Sequence, residues 1–173
     1  MNTKSLTTMM CVFALSLLLA GCRPAPLSDE EFSESAQGTC QTLMTEMASL
    51  DPLDHAAKAE AYRRAAEALA EFEISEESAP QGMLLRTSLA ELAEAHGNFA
   101  GALTEALAQA NIDRASLLLF TESGNVFTSS SGTVFDMVAL DIDPELVIEL
   151  NTRTAEVQAA ATALGLVQCA PSE

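Results

Sequence analysis

The chain has 173 residues, about one domain's length, and is 49% apolar, 5% aromatic and 19% charged. Eight Lys and Arg stand against 25 Asp and Glu, a net charge of −17. That balance argues against a nucleic-acid partner, since neutralising phosphates takes a basic face, and against electrostatic docking on anionic lipid. The apolar fraction is too high for a wholly disordered chain.

The N-terminus reads MNTKSLTTMMCVFALSLLLAGC. Lys4 supplies a positive start, and an apolar run from Met9 to Ala20 is broken only by Ser16. The run has the length of a signal-peptide core and is too short for a resident membrane span. It ends in Leu19-Ala20-Gly21-Cys22, which resembles the lipobox of bacterial lipoproteins. The resemblance implies a signal peptide over 1–21 and diacylglycerol on the Cys22 thiol. It also implies a fatty acyl chain such as palmitate on the Cys22 amine. Arg23, where an Asp would retain the protein at the inner membrane, implies the periplasmic face of the outer membrane. The alternative is a secretory signal cleaved nearby, with Cys22 an ordinary thiol.

Cys11 leaves with such a signal, and Cys22 carries lipid. Cys40 and Cys169 remain, and an oxidising compartment makes a disulfide between them the expected fate. Two buried thiols, or a redox or metal pair, are the alternatives. Neither C-x-x-C nor C-x-x-C-H occurs.

Residues 22–35 read as a lipidated tether and 36–173 as the folded domain. The first helix is expected over 29–50, opened by a Ser28/Glu31 capping box. Phe32, Ala36, Cys40, Leu43, Met47 and Leu50 form one apolar stripe, although Gly38 allows a start as late as Thr39. Asp51-Pro52 is expected to open a second helix over 52–73, with Tyr62, Ala65, Leu69 and Phe72 inward. A short connection over 74–78 then returns a third helix antiparallel over 79–110. Its stripe runs Leu85, Leu89, Leu92, His96, Phe99, Leu103 and Leu107, and Gly97 and Gly101 are expected to bend it or admit close packing. Asn111 is expected to cap a short helix over 112–120. TESGNVFTSSSGTVF then reads as loop, with room for a small hairpin. Asp143 and Pro144 open the last helix over 144–164, and Gly165 stops it. Leu166 can fold back on the last turn and aim Cys169 at the first helix.

These patterns predict an all-α four-helix bundle with one shared core and an irregular insertion between helices 3 and 4. The stretch Leu164-Gly165-Leu166-Val167-Gln168-Cys169 is also similar to the tails of small bacterial secreted helical proteins. In those a late Leu-Gly-x-x-x-Cys pairs with an early Cys, which implies the same bridge and no activity. Cys40 lies about 17 Å along a helix that starts at Asp29, so the tail must then reach down the bundle.

No motif assigns a catalytic, cofactor-binding or metal-ligating residue. His96 sits on an apolar stripe, either as a core histidine or as a ligand or pH switch. His55 belongs to a bundle end. Neither has a Glu three residues before it, as di-iron bundles require. Met44 and Met47 read as core filler before soft-metal ligands. Asp141, Asp143 and Glu145 lack the Gly of a calcium loop, and Ser129-Ser130-Ser131-Gly132 is no nucleophile elbow. The expectation is a non-enzymatic, membrane-anchored periplasmic lipoprotein that serves protein interaction or envelope structure. Phe120, Phe127 and Phe135 of the insertion are either anchors for a partner, which the charge suggests is basic, or extra core folded back onto the bundle end. The alternative is a small-ligand or metal-binding module in the bundle interior near His96.

Overall fold

A computed structural model describes residues 25–110, 117–120, 126–129, 134–136 and 142–170. Among the described residues four α-helices form a bundle: α1 (Asp29–Met47), α2 (His55–Ala70), α3 (Pro80–Gln109) and α4 (Pro144–Ala163). A 3-10 turn, Val167–Cys169, follows α4. Cys22 and the signal-like segment lie outside the described residues.

The helices start and stop where side chains satisfy their end groups. At α1, the Glu31 amide donates to the Ser28 hydroxyl (3.3 Å), and the Ser28 amide donates to the Glu31 carboxylate (3.0 Å). This is the expected capping box, and it holds the Glu31 carboxyl below its usual range. The early start overrides Gly38 and revises the boundary of the domain. Asp29–Ser35, assigned above to the tether, belongs to the bundle, and Phe32 is fully buried in its core.

The start of α2 also differs from expectation. Asp51 does not cap a helix; its carboxylate accepts from the Leu53 amide (2.9 Å) within a turn. Leu53 is thereby buried, and Asp54 becomes the cap, accepting from Ala57 (3.1 Å). Burial of one leucine thus delays the helix by one turn. At α3 the residue before Pro80 offers no side-chain cap. Asp29 of α1 does this instead, accepting from the Gly82 amide at 2.9 Å and the Gln81 amide at 3.4 Å. At α4, Asp143 caps as expected, accepting from Glu145 (2.9 Å).

The end of α4 resolves the reach to Cys40. Gly165 takes a left-handed conformation (φ 69°). The Gly165 amide donates to Thr162 O (3.0 Å) and the Leu166 amide to Ala161 O (2.8 Å), a Schellman stop. The Ser33 hydroxyl donates to Leu164 O (2.8 Å), so the reversal sits beside the first turns of α1. The chain then runs down α1 to the level of Cys40. Leu166 is buried on the way, and the Cys40–Cys169 disulfide closes with a Cα separation of 4.5 Å.

Among the described residues the interior is two clusters rather than one. The larger packs Phe32 and Leu43 of α1, Tyr62 and Leu69 of α2, and Leu85, Leu89 and Leu92 of α3 around Val157, Ala161 and the disulfide. The smaller joins Leu53, Phe99, Leu103 and Leu107 to Ile142, with Leu146 and Val147 at its edge. It forms because α3, at 30 residues and about 45 Å, outruns the 19-residue α1.

The insertion contains β1 (Leu117–Phe120), β2 (Val126–Ser129) and β3 (Val134–Asp136), an antiparallel sheet in the order β1-β2-β3. Phe127 is in register with Phe120 and with Phe135. The hairpin expected around Val126 and Val134 is therefore β2–β3. Leu117–Phe120 is strand, not the end of a short helix; its LLLF run lacks the helical spacing of polar residues and suits a sheet.

Gly82 is a tight point that periodicity did not reveal. A Cβ there would lie 2.9–3.2 Å from the ring of the fully buried Phe32. Gly97 and Gly101 are exposed, and a Cβ at either meets nothing within 4 Å, so neither serves the close packing expected of it. Gly82→Ala is therefore expected to destabilise by about 1–2 kcal/mol, overpacking outweighing helix propensity. Gly97→Ala is expected to stabilise by about 0.5–1 kcal/mol. Urea melts of the two variants check this; equal shifts of the same sign would remove the Phe32 explanation.

Candidate functional site

His55 and His96 meet in the interior. His55 opens α2 and His96 lies midway along α3, and both are buried. Their Nδ1 atoms are 2.9 Å apart, so one ring donates its Nδ1 proton to the bare Nδ1 of the other. Tyr62 stacks on His96 with centroids 5.4 Å apart and planes at 16°. Phe99 lies against His55 at 4.5 Å. Tyr62 belongs to the larger cluster and Phe99 to the smaller, so the imidazole pair is the polar joint between them.

Burial pushes His96 down to about 4, and the neighbouring Lys58 ammonium acts in the same direction. Burial raises the Tyr62 phenol to about 12. Burial also lowers Lys58, against the pull of Asp51 and Asp54, and its ammonium donates to Pro52 O (2.7 Å). Near pH 7 His96 is thus uncharged within the joint, which has an aromatic lid on each side.

The pairing was visible in outline. His55 and His96 lie 20 and 21 residues from Ser75, near the middle of the α2–α3 connection, so an antiparallel hairpin brings them level. Taken singly, neither histidine signals the other; the pair emerges only from the alignment of the two helices.

Two surface hollows flank α1. A notch of about 290 Å³ is lined by Leu43, Met44, Met47, Tyr62, Val167 and Cys169, among others. A groove of about 480 Å³ runs between α1 and α2 and includes Gly38, Thr42, Ala61, Ala65 and Ala68. His96 lines neither hollow.

Other candidates fall elsewhere. Met47 packs at the edge of the larger cluster and Met44 is 44% exposed, while Glu46 between them pairs with Arg64. Asp143 is a helix cap, and Asp141 lies outside the described residues. The side chains of Phe120, Phe127, Phe135 and Ser129–Ser131 also lie outside them. Among the described residues, no three His, Cys, Asp or Glu side chains gather as a metal site would require, and no helix is long and apolar enough to cross a membrane. No protein-family model matches the chain, and neither a curated protein nor a solved structure does.

Proposed function

We propose that this chain is a non-catalytic lipoprotein of the bacterial envelope, held through Cys22 at the periplasmic face of the outer membrane, where it offers a helical surface to a protein partner. The observation that carries the reading is the shortness of the link between Cys22 and the bundle. The Leu27 amide donates to Glu73 O (2.9 Å), so the chain is already fixed five residues after the lipobox cysteine. Only residues 23–26 separate the two, a reach of roughly 17 Å. The end carrying the α1 and α3 N-termini therefore rests near the bilayer, and the insertion leaves the opposite end of the 45 Å α3. The exposed carboxylates Glu30, Glu71, Glu73, Glu76 and Glu77 crowd that near end, which favours a lipid anchor over charge attraction to anionic headgroups. The alternative, a ligand site at His96, would have to use Nε2, since Nδ1 is held by His55 and Tyr62 stacks on the ring.

Metabolic labelling with an alkyne palmitate in a Gram-negative host tests the anchor. The wild type is expected to carry label and to sediment with outer membranes, and Cys22→Ser to lose both. Unlabelled wild-type protein free in the periplasm would refute the reading.

A further inference from the structure

We infer that the groove between α1 and α2 is a docking site for a basic amphipathic helix of a partner protein. The inference rests on the reading of this chain as a partner-binding module and names the surface and the partner's chemistry. Ser35, Gly38 and Thr42 line one wall, and Ala61, Ala65 and Ala68 the other, enclosing about 480 Å³. Of the three hydroxyl residues in the lining, Thr39 among them, two donate to their own helix: Ser35 to Glu31 O (2.8 Å) and Thr42 to Gly38 O (3.0 Å). Turning these two onto the helix leaves carbon facing outward. The wall from Ser35 to Glu46 is about 17 Å long, room for roughly three turns of helix.

Gly38 gives a second, independent observation. An interior helical glycine costs stability relative to alanine. Gly38 is not in the left-handed region, and a Cβ there would meet nothing within 4 Å. Among the described residues nothing packs where its side chain would be. Gly97 and Gly101 share that freedom, but Gly38 alone of the three lines either hollow flanking α1, where a bare Cα lets another backbone come close.

Charge selects the occupant. Exposed Glu34 and Glu67 immediately precede the lining residues Ser35 and Ala68 and so flank the groove. Arg64, the cation in its lining, is already held by Glu46 and Glu60, and Arg63 by Glu60. What remains is an apolar trough with a negative rim, which fits small and aliphatic residues at i, i+3, i+4 and i+7 with Lys or Arg beside them. A second copy of this chain, itself at −17, fits poorly.

The test uses the full-length chain carrying Cys22→Ser, so it does not depend on lipidation. It is titrated with a synthetic 15-residue helical peptide bearing Ala and Leu on one face and Lys on its flanks. The same peptide with Glu in place of Lys is the control. Micromolar binding is expected, weakening as salt rises, with amide NMR shifts confined to residues 35–46 and 61–68. Gly38→Leu, which leaves the net charge unchanged, is expected to weaken binding at least tenfold. Gly38→Ala should raise the melting temperature of the free protein while weakening the complex, a split that a merely structural role would not produce. Absence of binding, a footprint elsewhere, or affinity indifferent to Gly38→Leu would overturn the site, as would a dimer seated in the groove. Failure of palmitate labelling would leave this result standing, so the two readings fail separately.

Discussion

Reduction of the Cys40–Cys169 bridge is expected to cost about 5 kcal/mol of folding stability, the larger of the two strongest effects anticipated for this protein. The bond joins residues 129 apart, so it removes the closure entropy of a very long loop from the unfolded state. For a loop of that length the chain-entropy model gives about 5 kcal/mol. Folded domains of this size are stable by about 5–15 kcal/mol, so a third or more of the total is at stake. The folded state also loses its tie between α1 and the C-terminal turn. Leu164–Cys169 is otherwise held to α1 by the Ser33 hydroxyl and by packing of Leu166 and Cys169. Urea unfolding of oxidised and reduced protein, and of Cys40→Ala/Cys169→Ala, measures the effect. The midpoint should fall sharply, and amides near residues 164–169 should exchange first. An unchanged midpoint after complete reduction would mean that the bridge does not restrain the unfolded chain.

Much of this architecture can be read along the chain because its instructions are local. Ser28 with Glu31, Asp143 with Pro144, and Gly165 each fix a helix end using groups within a few residues. Cys40 falls on the α1 stripe, so its burial follows from period alone. The features that escaped depend on residues distant in sequence. Asp29 caps α3 from 53 residues away. Gly82 is needed because Phe32 lies across it, and Leu53 displaces the start of α2 by joining Phe99. The division into two clusters follows from the unequal lengths of α1 and α3, which no single stripe reveals. His55 and His96 become a pair once the hairpin aligns them. The groove beside Gly38 is the hardest to foresee, because its small residues also read as good helix formers.

Acidification is expected to weaken the fold through His96, by about 3 kcal/mol between pH 6.5 and 4. The folded protein holds this imidazole at about 4, against 6.5 in the unfolded chain. The unfolded state therefore binds the proton first, and stability falls as pH falls. The contribution is fully present above pH 6.5, declines through the interval, and levels off below 4. A gap of about 2.5 pH units corresponds to about 3 kcal/mol. Acid also reduces the net charge of −17 and so relieves self-repulsion, which pulls the other way. A subtraction isolates the histidines: His55→Leu/His96→Leu should show a flatter pH dependence over this window. His96→Leu alone should cost about 1–3 kcal/mol at pH 7, because it removes the Nδ1 partner of a buried ring. The double variant should recover part of that loss, since no polar pair then needs satisfying. Because the pair joins the two clusters, acid should loosen the smaller one first. Hydrogen exchange at pH 4.5 should rise around Phe99–Leu107 before Leu85–Leu92, which lie in the cluster closed by the disulfide. Equal slopes for wild type and the double variant between pH 6.5 and 4 would show that the acid response originates elsewhere.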